Sequence, residues 1–282
     1  MRGIRIDGKK ISQDIIDGLK RLPKPDKLLA AVLVGDNVQS KSFLKQKERM
    51  AGELGIPFCL YQHNEAILED DLIWEIKKLN EDPEIGGIIV QLPLPKHYDR
   101  DRILSAVDPQ KDIDALSLES RQFVNPLPVE VVKDILRTID YDLRTKFVAV
   151  VGRGFLVGKP IIEYFKDNCL ELTVFDSKSD LKDLKKADLV ITAVGKGGLI
   201  KPEILKAGAG VIDFGYDICD KTCGMKHETD TKKIHGDLDA SSSKLQDLGF
   251  YTPTPGGTGP ILVAEIFKNF YRLADLQKNK SQ

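Results

Sequence analysis

FVAVVGRGFLVGKP, residues 147–160, is the stretch whose reading decides the fold. Its first five residues, Phe147 to Val151, are apolar and mostly β-branched or aromatic, the composition of a buried strand. Gly152 and Gly154 follow at once, and Gly158 and Pro160 stand where a helix should begin. A strand, a glycine-rich turn and a helix N-terminus together make a site for phosphate. The glycines let the backbone come close, and the helix start offers free N–H groups and positive potential. The spacing, GxGxxxG, is one residue longer than the usual dinucleotide fingerprint, so taken alone it fits a tight structural turn equally well. The alternation of strands and helices that follows is what a doubly wound sheet requires.

Outward from this centre, the whole chain sets bounds. Its 282 residues suit two domains or one large α/β domain. The hydrophobic share of 41% is enough for real cores, and a net charge of −1 argues against nucleic acid or an anionic membrane as partner. No apolar run reaches the roughly 20 residues of a membrane span, and MRGIRIDGKK at the start lacks a signal-peptide core. Four cysteines without a small-scaffold pattern fit a reducing cytoplasm.

Upstream of the glycine turn, Ile11, Ile15, Ile16 and Leu19 recur at helical spacing, so a helix is expected over 9–21, stopped by Pro23 and Pro25. LLAAVLV (28–34) is a continuous apolar run of buried-strand length. A helix over 39–54 carries Phe43 and Lys47 at i and i+4 on one face. A strand at 58–61, a helix at 69–80 and a strand at 86–92 follow. The last ends in Gln91-Leu92-Pro93, at the carboxyl end of a strand, where open α/β sheets place their ligands. Asp99 caps a short helix to about residue 106, and Lys111-Asp112-Ile113-Asp114 lies in a loop.

Downstream, Pro128 suits the first turn of a helix. Strands are expected at 172–175, 188–194 and 209–214, a hairpin over 216–236, a short helix to 248, a tight loop over 252–259 and a last helix from Pro260. Among the polar candidates, a lysine on a helix such as Lys47 is by default a solvated one. Gln91, at the end of so apolar a strand, needs partners for its amide and is equally a ligand contact or a core amide. Asp112 and Asp114 read first as turn caps.

Seven segments, SFLKQK (42–47), GGIIVQLPLP (86–95), PQKDID (109–114), VVGRGFLVGKP (150–160), VIDFG (211–215), GDLD (236–239) and TPTPGGTGP (252–260), come in an order and spacing that resemble one family. It is the bifunctional methylenetetrahydrofolate dehydrogenase/methenyltetrahydrofolate cyclohydrolase family, and the resemblance covers nearly the whole chain. It implies an α/β fold in two domains. Residues 1–121, completed by the C-terminal helix over 256–282, would form a folate-binding catalytic domain, and residues 122–255 a Rossmann-like dinucleotide-binding domain. It implies Lys47 as the catalytic lysine, Gln91 as its partner and Asp114 as the pterin-binding aspartate. Phe43, Leu92, Pro93, Pro255, Gly256 and Gly257 would contact the folate. Gly152, Arg153, Gly154, Gly158, Asp176, Ser177 and Tyr216 would contact the cofactor. The implied partners are one-carbon derivatives of tetrahydrofolate, and the implied assembly is a homodimer.

Three departures stand out. Phe43 replaces the family's usual tyrosine, keeping the stacking surface without the hydroxyl. Asn125-Pro126-Leu127-Pro128-Val129-Glu130 keeps only part of the PCTPxG segment. Ala115 stands where a glycine is usual. A rival constellation, Cys219, Cys223, His227 and His235, has a cysteine spacing within the zinc range, but its histidines are eight apart, wider than zinc sites use. No metal is therefore expected.

On the cofactor, the residues and the resemblance pull apart. Asp176 ends the second strand of the dinucleotide fold, where an acid binds the ribose 2′-hydroxyl and favours NAD. Arg153, Ser177 and Lys178 supply two cations and a hydroxyl that suit a 2′-phosphate. The expectation is NADP, with NAD as the alternative.

Overall fold

A computed structural model describes residues 3–219 and 233–280. In chain order these form β1 (Ile4–Arg5), α1 (Gly8–Lys20), β2 (Leu28–Val34), α2 (Val38–Leu54), β3 (Phe58–His63), α3 (Glu69–Glu81), β4 (Ile85–Val90), α4 (Arg100–Leu104), α5 (Leu127–Thr138), β5 (Phe147–Val151), α6 (Gly158–Phe165), β6 (Glu171–Phe175), β7 (Leu189–Thr192), β8 (Gly210–Asp213), β9 (Asp217–Cys219), β10 (Lys233–His235), β11 (Phe250–Tyr251) and α7 (Thr258–Lys280). Short 3₁₀ turns fill 119–122, 181–186, 202–204 and 243–247. None of the described helices is long and apolar enough to cross a membrane.

The chain divides into two compact units. One holds residues 1–11 and 128–262. Its six strands lie in the order β1-β11-β8-β7-β5-β6, and every pairing is parallel. Numbered from β5, the order β6-β5-β7-β8-β11 is 2-1-3-4-5, a doubly wound sheet whose switch point lies between β5 and β7. β5, flanked by β6 and β7, is buried from Val148 to Val151, which is why it reads as an unbroken apolar run. Ala149, Val151, Val190 and Val211 from neighbouring strands pack with Phe175, Leu184, Ile200 and Leu248 in one core.

The other unit holds residues 12–127 and the chain from Val263 on. Its sheet is β3-β2-β4, again parallel, with β2 in the centre and buried from Leu29 to Val34. Phe267 and Phe270 of α7 are fully buried, each contributing roughly 1.5–3 kcal/mol. Phe270 packs on β4, where a Cβ at Gly87 would lie 2.8 Å from its ring and 2.7 Å from Ile113. The paired glycines of β4 therefore let α7 and the 108–117 loop close on the sheet. Two amides of α7 fasten that loop: Asn269 donates to the Ile113 carbonyl (2.9 Å) and Gln277 to that of Gln110 (2.8 Å).

Several details differ from the sequence expectation. β1 and β11, two residues each, are too short to show periodicity, and neither is expected from sequence. Ile4 and Arg5 pair with Phe250 and Tyr251, so the first eleven residues group with the doubly wound unit rather than opening the folate-binding domain. The boundary near the C-terminus falls inside α7, after Leu262, rather than at 256. α7 starts two residues before Pro260, which its first turn tolerates because an N–H there has no intrahelical partner. The hairpin expectation is met where the chain is described, by the antiparallel pair β9 and β10. Cys223 and His227 of the rival zinc set lie outside the described residues. Among the described residues, no group of three or more His, Cys, Asp or Glu side chains could hold a metal.

Candidate active site

α2 begins under Asn37, whose side chain accepts from the Ser40 N–H, and ends at Gly55 in the left-handed region at φ 67°. The helix carries Phe43, its ring partly open to solvent, and one turn later the half-buried Lys47. At the carboxyl end of β4, the Gln91 N–H donates to the Val32 carbonyl (2.9 Å), continuing the sheet by one residue. The side chain of Gln91 is buried at 8% exposure. Its Nε2 donates to the Leu92 carbonyl (2.7 Å), so its Oε1 is left to accept from Lys47 Nζ (3.1 Å). The amide is thereby fixed in one orientation, acceptor toward the lysine. Leu92 is half-buried and Pro93 exposed directly beyond it.

Asp114 is the charge that faces Lys47. Burial pushes the Lys47 amine down from the ordinary lysine range, and the Asp114 carboxylate opposes this. Burial pushes Asp114 up, and Lys47 opposes that in turn. Burial in both cases favours the uncharged form, so Lys47 is moved toward a neutral amine.

The loop bearing Asp114 is braced from four sides. Lys111 is buried and its Nζ donates to the carbonyls of Leu79 (3.3 Å), Asn80 (2.7 Å) and Asp82 (2.7 Å), capping the C-terminus of α3. Asp112 is 4% exposed, and its Oδ2 accepts from the Ser117 N–H (3.0 Å) and Ser120 Oγ (2.7 Å). Burial outweighs these bonds and pushes Asp112 up to about 6. The Ile88 N–H donates to the Lys111 carbonyl (2.7 Å), and Asn269 holds Ile113. Ala115, between these braces, sits at φ 52°, a conformation that costs an L-residue roughly 1 kcal/mol and that glycine adopts without this cost. The departing segment 125–130 runs into α5, which has Pro128 in its first turn.

In the doubly wound unit, Gly152 leaves β5 at φ 100°, where a Cβ would lie 2.7 Å from the Ala193 carbonyl oxygen beyond β7. A Cβ on Gly158 would meet the Gly152 oxygen at 2.0 Å, so α6 starts hard against the turn. At 152 and 158 only glycine fits this cradle at the switch point, whereas Gly154 faces open space. The donor set suits a dinucleotide's phosphates. Arg153 and Ser177 are exposed at its rim. Asp176 is exposed too, its Oδ1 accepting from the Lys178 N–H (2.9 Å) and Ser179 Oγ (3.2 Å). The Lys178 N–H first, with Ser179 and Arg153 adding to it, holds Asp176 below the usual carboxylate range. Tyr216 is exposed just past the end of β8. Pro255, Gly256 and Gly257 lie in this same unit, on the loop from β11 to α7, with the Gly256 carbonyl accepting from the Gly8 N–H (3.1 Å).

Sequence reading passed over the buried pair Asp213 and Asp237, 1% and 0% exposed. Burial pushes Asp213 up to about 6 against the backbone N–H groups it accepts. VIDFG and GDLD contain the two aspartates; Asp213 directly follows an apolar strand run, and Asp237, after His235 and Gly236, has no such signal.

A glycine cradle at the switch point of a parallel sheet, in one chain with a unit that sequesters a lysine, an amide and two carboxylates, defines an α/β dinucleotide-dependent enzyme. Residues 6–114 match the catalytic domain of tetrahydrofolate dehydrogenase/cyclohydrolase, and residues 126–278 match its NAD(P)-binding domain. The bifunctional protein FolD of Flavobacterium johnsoniae is 36% identical over 285 residues, covering 94% of this chain and 95% of that protein. The crystal structure of bifunctional FolD from Campylobacter jejuni is 30% identical, with a TM-score of 0.85 over 97% of this chain and 98% of that one. The Trypanosoma brucei FolD, solved with NADP cofactor and an inhibitor, is 26% identical, with a TM-score of 0.88 over 98% of both chains. The chain belongs to the tetrahydrofolate dehydrogenase/cyclohydrolase family.

Proposed function

We infer that this chain oxidises 5,10-methylenetetrahydrofolate to the 5,10-methenyl form and hydrolyses that to 10-formyltetrahydrofolate. Family membership over both halves of the chain, together with a lysine sequestered against Gln91, carries the reading. The bound dinucleotide accepts the hydride that leaves the folate's methylene carbon. That carbon then bears positive charge as part of the methenyl cation, which adds water and opens to the formyl product with release of a proton. An ammonium beside a cation would be repelled. A neutral Lys47 amine instead accepts the proton of the attacking water, as a general base does. Burial favours that neutral form. Gln91 orients the amine through its carbonyl oxygen. Asp114 hydrogen-bonds the pterin, and Phe43 stacks on the folate with Leu92 and Pro93 beside it.

For the cofactor, Gly152, Gly154 and Gly158 hold the phosphates and Tyr216 flanks the dinucleotide. NADP is the preferred form. What supports it is Arg153, Ser177 and Lys178 at the rim, with the Asp176 carboxylate already engaged by the 178–179 backbone and hydroxyl. The likeness to the family also supports a cytoplasmic location and a homodimer, the second of which sedimentation of the purified chain would read. The direct test of activity is spectrophotometric: purified protein given methylenetetrahydrofolate and NADP should form NADPH, then consume the methenyl product. Absence of reduced cofactor, NADPH from NADP or NADH from NAD, would overturn the reading.

A further inference from the structure

We propose that Asp237 is a positioning residue for the dinucleotide site, its buried carboxylate fixing the loop that leaves β7. That loop follows one of the two strands at the switch point, and the Ala193 carbonyl in it abuts the glycine turn. Asp237 Oδ2 accepts from Thr192 Oγ1 (2.7 Å) and the Val194 N–H (2.7 Å), and Oδ1 accepts from the Lys196 N–H (2.8 Å). The side chain is 0% exposed. The backbone reinforces the placement, since the Gly198 N–H donates to the Gly236 carbonyl (3.0 Å) and the Ile200 N–H to that of Asp237 (2.8 Å).

The same carboxylate also touches the loop after β8. A Cβ on Gly215, the residue before Tyr216, would lie 2.4 Å from Asp237 Cγ. Asp213 holds Asp237 in turn: its Oδ1 accepts from the N–H groups of Gly215 (2.7 Å) and Asp237 (3.2 Å), and its Oδ2 from that of Leu238 (2.9 Å). The two carboxylates thus link the loops beyond β7 and β8, and the first of these borders the glycine cradle that would hold the dinucleotide of the proposed function.

Three donors converge on Asp237, and a carboxylate has an acceptor for each. An amide of the same shape has acceptors on one side only. In Asp237→Asn the NH₂ must face either the Lys196 N–H or the pair from Thr192 and Val194, so at least one loop donor is left facing another donor, and the loop moves. Packing is kept, because the two side chains are nearly isosteric.

This inference rests on the proposed dehydrogenase reading, and the two can fail separately. A parent protein that neither binds NADP nor forms NADPH sinks that reading. With an active parent, the test compares parent and Asp237→Asn by titrating NADPH fluorescence for affinity, and by assaying methylenetetrahydrofolate oxidation and methenyltetrahydrofolate hydrolysis separately. Hydrolysis needs no dinucleotide, and Lys47, Gln91 and Asp114 all belong to the other unit. The expected result is NADPH affinity weakened by about tenfold, the effect of one lost charge-assisted hydrogen bond. The KM for NADP should rise likewise, while the KM for the folate and the hydrolysis rate stay near the parent's. Unchanged affinity, or oxidation and hydrolysis falling in equal proportion, overturns the proposal and leaves Asp237 a structural brace. Should Asp237→Asn fail to fold, Thr192→Val removes one donor and leaves the carboxylate. It should weaken NADPH binding without altering hydrolysis, and an unchanged affinity there overturns the proposal equally.

Discussion

Asp112→Asn tests the electrostatics of the loop that carries Asp114. Asp112 is 4% exposed and accepts from Ser117 and Ser120, yet burial, with Asp114 two residues on, raises it from 3.8 to about 6. The folded chain therefore binds a proton between about pH 4 and 6 that the unfolded chain has already lost. Stability falls as pH rises through that window and the penalty is complete above it. The full penalty corresponds to about 3 kcal/mol, of which about 2 kcal/mol accrues between roughly pH 4.5 and 7.5. Asparagine carries no charge at either pH and keeps one oxygen for Ser117 and Ser120, at a cost of about 1 kcal/mol for the acceptor it loses. Urea unfolding of parent and variant at the two pH values reads the difference directly. The two should be about equally stable near pH 4.5, where the parent's penalty of about 1 kcal/mol matches the variant's cost, and the variant should gain about 2 kcal/mol on the parent by pH 7.5. Asp213, also raised to about 6, contributes equally to both proteins and cancels. A parent–variant difference that does not change with pH would refute the reasoning and mean that Asp112 is ionised throughout.

Two further substitutions probe binding. Phe43→Ala should weaken folate binding by about two- to tenfold, the range for a lost ring contact, read by titration with tetrahydrofolate; affinity equal to the parent's contradicts stacking. Asp176→Ser should raise the ratio of kcat/KM for NADP over that for NAD, because it removes a carboxylate from the rim that Arg153 shares. An unchanged ratio means that Asp176 does not reach the ribose, and a parent that strongly prefers NAD makes Asp176 the selector.

Residues 147–160 were legible because everything there is local: a strand buried on both faces, a turn needing glycine, and a helix start. The same holds for β2, whose seven residues form one apolar run. β1 and β11 escaped because two residues carry no period, and their meeting places the first residues of the chain in the unit built from its second half. Lys47 and Gln91 are 44 residues apart in sequence. Spacing alone left Lys47 a surface lysine, and only the family resemblance paired it with Gln91. Asp213 and Asp237 were harder still, since their partners are mostly backbone N–H groups of loops, which leave no mark on residue type. Ala115 shows the reverse: the departure from glycine was visible, but its positive φ emerges only from the braces on either side.

Central to this picture is Lys47 as the group that acts on water. The measurement that tests it most directly is the hydrolysis rate of methenyltetrahydrofolate in Lys47→Met, with folding checked by circular dichroism and NADPH affinity. Methionine keeps the length of the side chain and removes the amine. The expected result is a folded protein that binds NADPH as the parent does and has lost cyclohydrolase activity. Hydrolysis at the parental rate would contradict it and return Lys47 to an ordinary helix lysine.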